Sequence, residues 1–187
     1  MIKSALFVSL QSFKKHCKPN PGAIVISIGL STDRAPYMLG YAGSLRLGFE
    51  DEYEEKLGVR VGEIPDLHPA HQNGARIFYQ GNELPDFNDA LRVVKFLDRY
   101  AAKTECFDLI VHCQAGISRS AAIAQFAADK YGALLVGANP DTSGSNRRLL
   151  RLLTKVSDGV PPSIFMPPSK HAERPPQECG GPCGGWC

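Results

Sequence analysis

The chain of 187 residues has no long apolar run and no excess of charge of either sign. None of its apolar stretches approaches the roughly 20 residues that a membrane-spanning helix needs. Lysine and arginine number 21 and acidic residues 19, so the charge favours neither nucleic acid nor a membrane as a partner. The N-terminal stretch holds one lysine and a short apolar run, which is typical of a β-strand rather than a secretion signal.

Hydrophobic residues make up 43% and charged residues 21% of the chain, as in ordinary globular proteins. This composition and length predict one domain with a sizeable core over residues 1–156. From residue 160 onward the composition changes, because seven of the 14 prolines and several closely spaced glycines fall there. We expect residues 157–187 to form a disordered tail without a packed fold.

Six cysteines divide into two groups. Cys17, Cys106 and Cys113 lie in the body of the chain, and three more lie near its end: Cys179, Cys183 and Cys187. A domain of this length does not need disulfides for stability, so we expect reduced thiols and a cytoplasmic location. Three cysteines in a glycine-rich tail are an incomplete set of metal ligands, and the sequence leaves their role open.

Apolar patterns predict alternating strands and helices. Four segments rich in apolar and β-branched residues are predicted as strands: 5–10, 23–30, 44–49 and 107–112. Helices are predicted over 11–17, from Pro85 to about 101, over 119–131, and from a Ser145 cap to about 156. Strands that alternate with helices predict a single α/β domain with a central, largely parallel sheet flanked by helices.

The segment 50–85 is the hardest to assign. It is acidic at first and then carries prolines and a glycine before a possible strand at 75–79. Long excursions of this kind are usually functional or mobile, and we expect this one at the rim of the domain.

The most informative stretch is His112-Cys113-Gln114-Ala115-Gly116-Ile117-Ser118-Arg119-Ser120. It follows a predicted strand and runs into an alanine-rich predicted helix, so a tight loop joins the two at the thiol of Cys113. Loop amides and a helix N-terminus attract an anion at such a place. The same field lowers the pKa of a thiol from about 8.5 towards the range of reactive cysteines. The pattern therefore predicts a nucleophilic cysteine beside an anion-binding loop.

The spacing His-Cys-x5-Arg-Ser resembles the phosphate loop of the cysteine-dependent protein phosphatases. The loop glycine and the alanine-rich helix are most similar to the dual-specificity type, and Ala115 to Ser120 resembles the loop of small bacterial and phage tyrosine-phosphatase-like proteins. Looser similarity runs from about residue 23 to 155, with supporting matches at 25–28, 45–51 and 146–150. The resemblance implies a protein-tyrosine-phosphatase-like fold and hydrolysis of phosphomonoesters, above all phosphotyrosine.

The resemblance also assigns roles within the loop. Cys113 would take the phosphoryl group as a phosphocysteine, Arg119 would hold two phosphoryl oxygens, and Ser120 would donate to the sulfur. The substrate-binding residues would be Arg119 and the five before it: Gln114, Ala115, Gly116, Ile117 and Ser118. Because those five include no lysine or arginine, we expect a monophosphate, either in a phosphorylated protein or in a small phosphomonoester. His112 is expected either to orient the loop by bonding to backbone or to be a packed histidine.

Departure of the leaving oxygen benefits from a carboxylic acid, and the sequence offers four candidates: Asp51, Asp66, Glu83 and Asp86. Asp51 is preferred, because it follows a predicted strand in the Phe-x-Asp pattern of the bacterial relatives. Glu83 and Asp86 lie nearer to Cys113 in the chain, close to the separation in dual-specificity enzymes, although Asp86 is expected to act as an acid of the first helical turn.

His68 and His71, with Asp66 nearby, suggest a metal site. The proline between the histidines breaks helical spacing and no fourth ligand is evident, so we expect neither a metal nor a cofactor.

Two other functions remain open from the sequence. The ambiguous acid allows a phosphatase-like module that binds phosphorylated partners with weak or no turnover. A sulfurtransferase or an arsenate reductase could also place a reactive cysteine after a strand, although Arg119 and Ser120 fit phosphate better.

Overall fold

The computed structural model describes residues 1–137 and 140–164. Its central sheet has five strands: β1 (Ile2–Ser9), β2 (Ala23–Gly29), β3 (Gly43–Gly48), β6 (Phe107–Cys113) and β7 (Leu134–Val136). Neighbouring strands are all parallel, in the order β3-β2-β6-β1-β7. The short strands β4 (Phe78–Tyr79) and β5 (Asn82–Glu83) pair as a separate antiparallel hairpin.

Four α-helices flank the sheet: α1 (Leu10–His16), α2 (Phe87–Ala101), α3 (Arg119–Tyr131) and α4 (Arg147–Ser157). Helices α2, α3 and α4 share the main core with one face of the sheet. Helix α1 covers the other face, where Phe13 packs with Val25 and Ile110. The predicted single α/β domain, with a parallel sheet flanked by helices, is confirmed.

Strand β6 lies in the middle of the sheet and serves both cores. Leu109 and Val111 pack in the main core, whereas Ile110 packs on the α1 side, as the alternation of a strand requires. Because the strands are parallel, their carboxyl ends lie along one edge of the sheet, where α/β proteins usually bind ligands. Cys113, at the end of β6, therefore lies at this edge, between the ends of its neighbours β1 and β2.

Helix α2 begins later than predicted. Phe87, rather than Pro85, is its first residue, and Asp86 is the N-cap. The Asp86 side chain accepts a hydrogen bond from the amide of Asp89 at 3.0 Å. The Asp89 side chain accepts in return from the amide of Asp86, which completes a capping box. Pro85 stays outside the helix, where its carbonyl accepts a hydrogen bond from Arg148.

Helix α4 is also capped differently from the prediction. Asn146, rather than Ser145, is its N-cap, and the Asn146 side chain accepts from the amide of Leu149 at 3.0 Å. The Ser145 hydroxyl instead donates to the side chain of Gln125 at 3.2 Å. Either residue type can cap a helix, so the sequence alone could not separate two adjacent candidates.

A group of charged residues, here called the α4 ion cluster, holds segment 50–85 against α4. Glu54, Asp66 and Arg148 are buried in it, and Arg151 and Lys155 are partly exposed. Arg148 has no exposed surface and its Nη1 donates to Glu54 at 2.6 Å. Arg151 bridges Glu54 and Asp66, and Lys155 donates to the other Asp66 oxygen at 2.7 Å. Charged groups tolerate such burial only when they are paired. The excursion is thus part of the packed domain.

The first residues of the predicted tail belong to the described part of the chain. Ser157 ends α4, and the amide of Ser163 donates to Asp66 Oδ2 at 3.0 Å. Residues 165–187, which include the three tail cysteines, lie outside the described residues. In the part of the chain that the structure describes, no helix combines the length and the apolar character needed to cross a membrane.

Candidate active site

The loop that follows β6, residues 113–119 and here called the Cys113 loop, curls around the sulfur of Cys113. The amide of Gly116 donates to Sγ at 3.2 Å, and the hydroxyl oxygen of Ser120 lies 3.2 Å from Sγ. Gly116 has a φ of +74°, and a Cβ there would lie 2.2 Å from the amide nitrogen of Ser9. Only glycine therefore lets the loop pack this closely against the end of β1.

The surroundings of Cys113 favour its thiolate. Burial raises the pKa of this thiol, but hydrogen bonds from the Ser120 hydroxyl and from the amides of Ser120 and Gly116, together with the charge of Arg119, outweigh burial and lower it. The Cys113 side chain has no exposed surface. A reactant can therefore reach the sulfur only if the loop widens.

Arg119 is the first residue of α3 and only 6% exposed. Its Nη1 donates to the carbonyl of Phe49, just beyond β3, at 2.6 Å. Its Nε is buried and has no hydrogen-bond partner among the described residues. A buried donor without a partner is costly, and a cation in the first turn of a helix is unfavourable. An anion held in the loop would offset both costs, so the arginine indicates an anion-binding position.

Asp51 is fixed against the Cys113 loop through one carboxylate oxygen. Asp51 Oδ1 accepts from the hydroxyl of Ser118 at 2.7 Å and from Nδ2 of Asn146 at 3.0 Å. Ser118, predicted as one of the substrate-binding residues, thus connects Asp51 to the loop. Asn146 is a site residue that the sequence reasoning missed; its only signal was its place in the stretch 146–150 that resembles the family.

Two other predicted acids, Glu83 and Asp86, are paired with Arg76. Arg76 Nε lies 2.9 Å from a Glu83 oxygen, and its two Nη atoms lie 3.2 Å from Asp86 and 2.6 Å from Asp89. Burial raises the pKa of Asp89, although the hydrogen bond from Arg76 acts in the opposite direction. These carboxylates stabilise the start of α2, and within the described residues none of them bonds to the Cys113 loop.

Asp66, the fourth predicted acid, is completely buried in the α4 ion cluster. Burial alone would raise its pKa, but hydrogen bonds from Lys155, Ser163 and Arg151 outweigh burial and hold the pKa at about 2. A carboxyl group with these partners stays ionised and is unsuited to donating a proton at neutral pH. Among the described contacts of the four candidates, only those of Asp51 reach the Cys113 loop.

His112 is packed rather than bonded to backbone. Its ring stacks on Phe13 with 4.4 Å between the ring centroids, and both ring nitrogens are buried with no partner in the described part of the chain. Burial, reinforced by the charges of Arg46 and Lys14, lowers the pKa of His112 to about 4. The imidazole is therefore neutral at neutral pH, and the backbone hydrogen bond that the family resemblance implies is not made.

The histidines of the suggested metal site bond to their own turn. His68 Nδ1 accepts from the amide of Ala70 at 3.0 Å, and His71 Nδ1 lies 2.9 Å from the carbonyl oxygen of His68. Among the residues that the structure describes, no three His, Cys, Asp or Glu side chains are grouped to hold a metal ion.

Comparison of the chain with protein-family models, curated proteins and solved structures finds no match. The assignment of a function therefore depends on the site itself. Its parts are a thiol with a lowered pKa at the end of a central strand, a buried arginine with an unpaired donor, and a carboxylate fixed to the same loop.

Proposed function

We propose that the protein is a phosphoprotein phosphatase that hydrolyses phosphomonoesters, above all phosphotyrosine, through a phosphocysteine intermediate. Its fold would then be protein-tyrosine-phosphatase-like, of the dual-specificity type. The observation that carries the proposal is the Cys113 loop, in which a stabilised thiolate lies beside the unpaired Nε of Arg119. Phosphoryl oxygens are strong acceptors, and they suit both a guanidinium and the free amides of a loop that leads into a helix.

In the first step, the Cys113 thiolate attacks phosphorus, and the sulfur–phosphorus bond forms as the bond to the leaving oxygen breaks. Charge leaves the sulfur and develops on the leaving oxygen, while Arg119 and the loop amides hold the phosphoryl oxygens. A proton from Asp51 neutralises the leaving oxygen.

The anchoring of Asp51 decides which of its atoms carries that proton. Oδ1 already accepts two hydrogen bonds, so the proton resides on Oδ2. In the second step, the ionised carboxylate accepts a proton from the water that attacks the phosphocysteine. The sulfur–phosphorus bond breaks, inorganic phosphate forms, and Ser120 stabilises the departing thiolate.

A second candidate is a module that binds phosphorylated partners with little turnover. One observation favours it: the Cys113 side chain has no exposed surface. The loop amides and Arg119 would suffice for binding alone.

The test uses the purified full chain with p-nitrophenyl phosphate in EDTA. We expect turnover that vanadate inhibits and that falls to background in Cys113→Ser, because the hydroxyl of serine is a much weaker nucleophile than a thiolate. The matched control is Cys106→Ser, a change at an exposed thiol that should leave turnover unaltered.

Three results would contradict the phosphatase. Phosphopeptide binding without phosphate release would assign the chain to the binding module. Turnover that requires a metal and survives Cys113→Ser would exclude a phosphocysteine. Faster reaction with thiosulfate or arsenate than with any phosphomonoester would indicate a different cysteine enzyme.

A further inference from the structure

Two neighbouring depressions on the α1 side of the sheet collect positive charge beside the Cys113 loop. The first, here called the arginine cavity, has a volume of about 160 Å³, and its polar lining includes Arg34, Arg46, His112 and Gln114. The second, here called the lysine groove, has a volume of about 480 Å³ and is lined mainly by Phe13, Tyr37, Tyr41, Lys14, Lys15 and Lys18. Pro36 lines both, so the two depressions are contiguous.

A row of polar side chains crosses three strands at the arginine cavity. Ser27 on β2 is paired with Arg46 on β3 and with His112 on β6. Arg46 Nη1 donates to the hydroxyl of Ser27 at 2.8 Å. A Cβ at Gly29 would lie 2.4 Å from Arg46 Nη2, so the glycine makes room for the guanidinium. Arg46 is therefore held in place on the sheet rather than extended into solvent.

One polar side chain of the arginine cavity, His112, lacks partners among the described residues. His112 is 1% exposed, and neither ring nitrogen has a partner among the described residues. Unsatisfied buried polar groups are rare in folded proteins and call for an explanation such as a ligand. Arg34 is exposed at the rim, and Asp33 is the only acidic residue in the described lining of the cavity. Arg46 Nη2 also donates to the carbonyls of Leu30 and Asp33. The cavity thus offers an unpaired ring N–H of His112 and a net positive charge.

The arginine cavity is within electrostatic reach of the proposed phosphate site. Burial lowers the pKa of Arg46, Asp33 acts in the opposite direction, and the charge of Arg119 lowers it further. Gln114, which follows the proposed nucleophile directly, also lines the cavity. The cavity therefore adjoins the Cys113 loop at Gln114.

The lysine groove continues this surface away from the Cys113 loop. The Phe13 ring lies between His112 and Tyr41, with centroid distances of 4.4 and 6.1 Å, and so connects the cavity to the groove. Tyr37 is 72% exposed and adds an apolar wall. The described residues that line the groove include three lysines and no acidic side chain. Because the whole chain has a net charge of only +2, this concentration of cations is local.

We propose that the substrate of the Cys113 loop is an acidic segment of a phosphorylated protein. A carboxylate beside the phosphorylated residue enters the arginine cavity, and an apolar side chain further along the segment enters the lysine groove. This inference rests on the proposed function and specifies its substrate class. Charge complementarity selects an acidic partner, and the concave apolar groove fits a side chain better than it fits the flat surface of a membrane.

The test measures the binding of fluorescent phosphotyrosine peptides to the full chain carrying Cys113→Ser, which keeps the loop and removes the nucleophile. One peptide set carries glutamates on either side of the phosphotyrosine together with one phenylalanine, and the matched set carries glutamines. We expect the glutamate peptides to bind on the order of tenfold more tightly at low salt, with the difference shrinking as salt is added.

Charge reversals locate the binding surface. Arg34→Glu and Lys15→Glu should each lower the affinity for glutamate peptides roughly fivefold relative to the affinity for glutamine peptides, because an attraction becomes a repulsion at an exposed position. The control is Lys95→Glu, the same charge change at an exposed position of α2, which lies on the opposite face of the sheet from the groove. It should leave the preference for glutamate peptides unchanged.

The outcomes separate this inference from the proposed function. Equal affinity for both peptide sets, or no binding of either, overturns the inference that the substrate is an acidic segment. Phosphate release by the unaltered chain is measured with the same peptides, and its absence for all of them overturns the phosphatase instead. If Lys15→Glu abolishes binding to phosphatidylserine vesicles but not the glutamate preference, the lysine groove binds a membrane and its assignment to the peptide is wrong.

Discussion

At the residue scale, Asp51 is held so that one oxygen is anchored and the other is free to act. Asp51→Asn keeps an acceptor for Ser118 and Asn146 but removes the proton that Oδ2 would deliver. We expect the rate with phenyl phosphate to fall on the order of a hundredfold, and the rate with p-nitrophenyl phosphate to fall less, because nitrophenolate leaves readily without a proton. Steady-state kinetics with the two esters measures this difference.

The matched variant for Asp51 is Glu83→Gln, since Glu83 was a rival acid and is paired with Arg76. It should lower both rates by the same factor or leave them unchanged. If Asp51→Asn has no effect while Glu83→Gln reduces the phenyl phosphate rate selectively, Glu83 is the acid and the assignment of Asp51 is wrong.

The sequence predicted which residues form the site where those residues lie close together in the chain. Cys113, Gly116 and Ser120 lie within one short stretch, and their spacing alone places two amides and a hydroxyl near one sulfur. Asp51 was preferred on pattern, but its contact with Asn146 joins residues 95 positions apart. No local rule specifies such a contact, because it depends on how α4 packs across the start of the excursion.

At the scale of elements, the N-terminus of α4 has two functions that can be separated. Asn146 caps the helix through its carbonyl oxygen and holds Asp51 through its amide nitrogen. Serine also caps helices but is too short to reach Asp51. We therefore expect Asn146→Ser to keep the free energy of unfolding within a few tenths of a kcal/mol, while lowering the rate with phenyl phosphate more than the rate with p-nitrophenyl phosphate.

Asn146→Ala is the comparison that isolates the cap. It should lose about 1 kcal/mol of stability in urea unfolding, because the amide of Leu149 loses its acceptor. If Asn146→Ser hydrolyses each of the two esters as fast as the unaltered chain does, Asn146 only caps the helix and does not position Asp51.

Helices and strands were predictable where the segment itself carries the apolar pattern and the residues that end it. Helix α3 spans the predicted residues because its alanine-rich pattern ends at Gly132, which has a φ of +70°. The segment 50–85 has no such pattern, since much of its order comes from pairing Glu54 and Asp66 with α4. Strand β7 is only three residues long, too short for apolar alternation to reveal it.

At the scale of the whole molecule, Asp66 makes stability depend on pH. Its pKa of about 2 in the folded protein lies below its value of about 4 in the unfolded chain. The ionised carboxylate therefore stabilises the fold above about pH 4, and this contribution, about 2 kcal/mol, is lost as the pH falls towards 2. We expect Asp66→Asn to be less stable by that amount at neutral pH and to show a flatter loss of stability in acid.

Urea unfolding at a series of pH values measures this effect. Asp129→Asn, a change at an exposed carboxylate on α3, serves as the control and should unfold like the unaltered chain at every pH. If Asp66→Asn loses stability in acid as steeply as the unaltered chain, other carboxylates account for the acid sensitivity.

The long chain separations across the α4 ion cluster have a consequence for synthesis on the ribosome. Glu54 and Arg148 are 94 residues apart, and Asp66 and Ser163 are 97 apart. Glu54, Asp66 and Asp51 are therefore synthesised long before the residues at α4 and beyond that bind them. Asp51, the proposed proton donor, therefore gains its contact with Asn146 only after the start of α4 has left the exit tunnel.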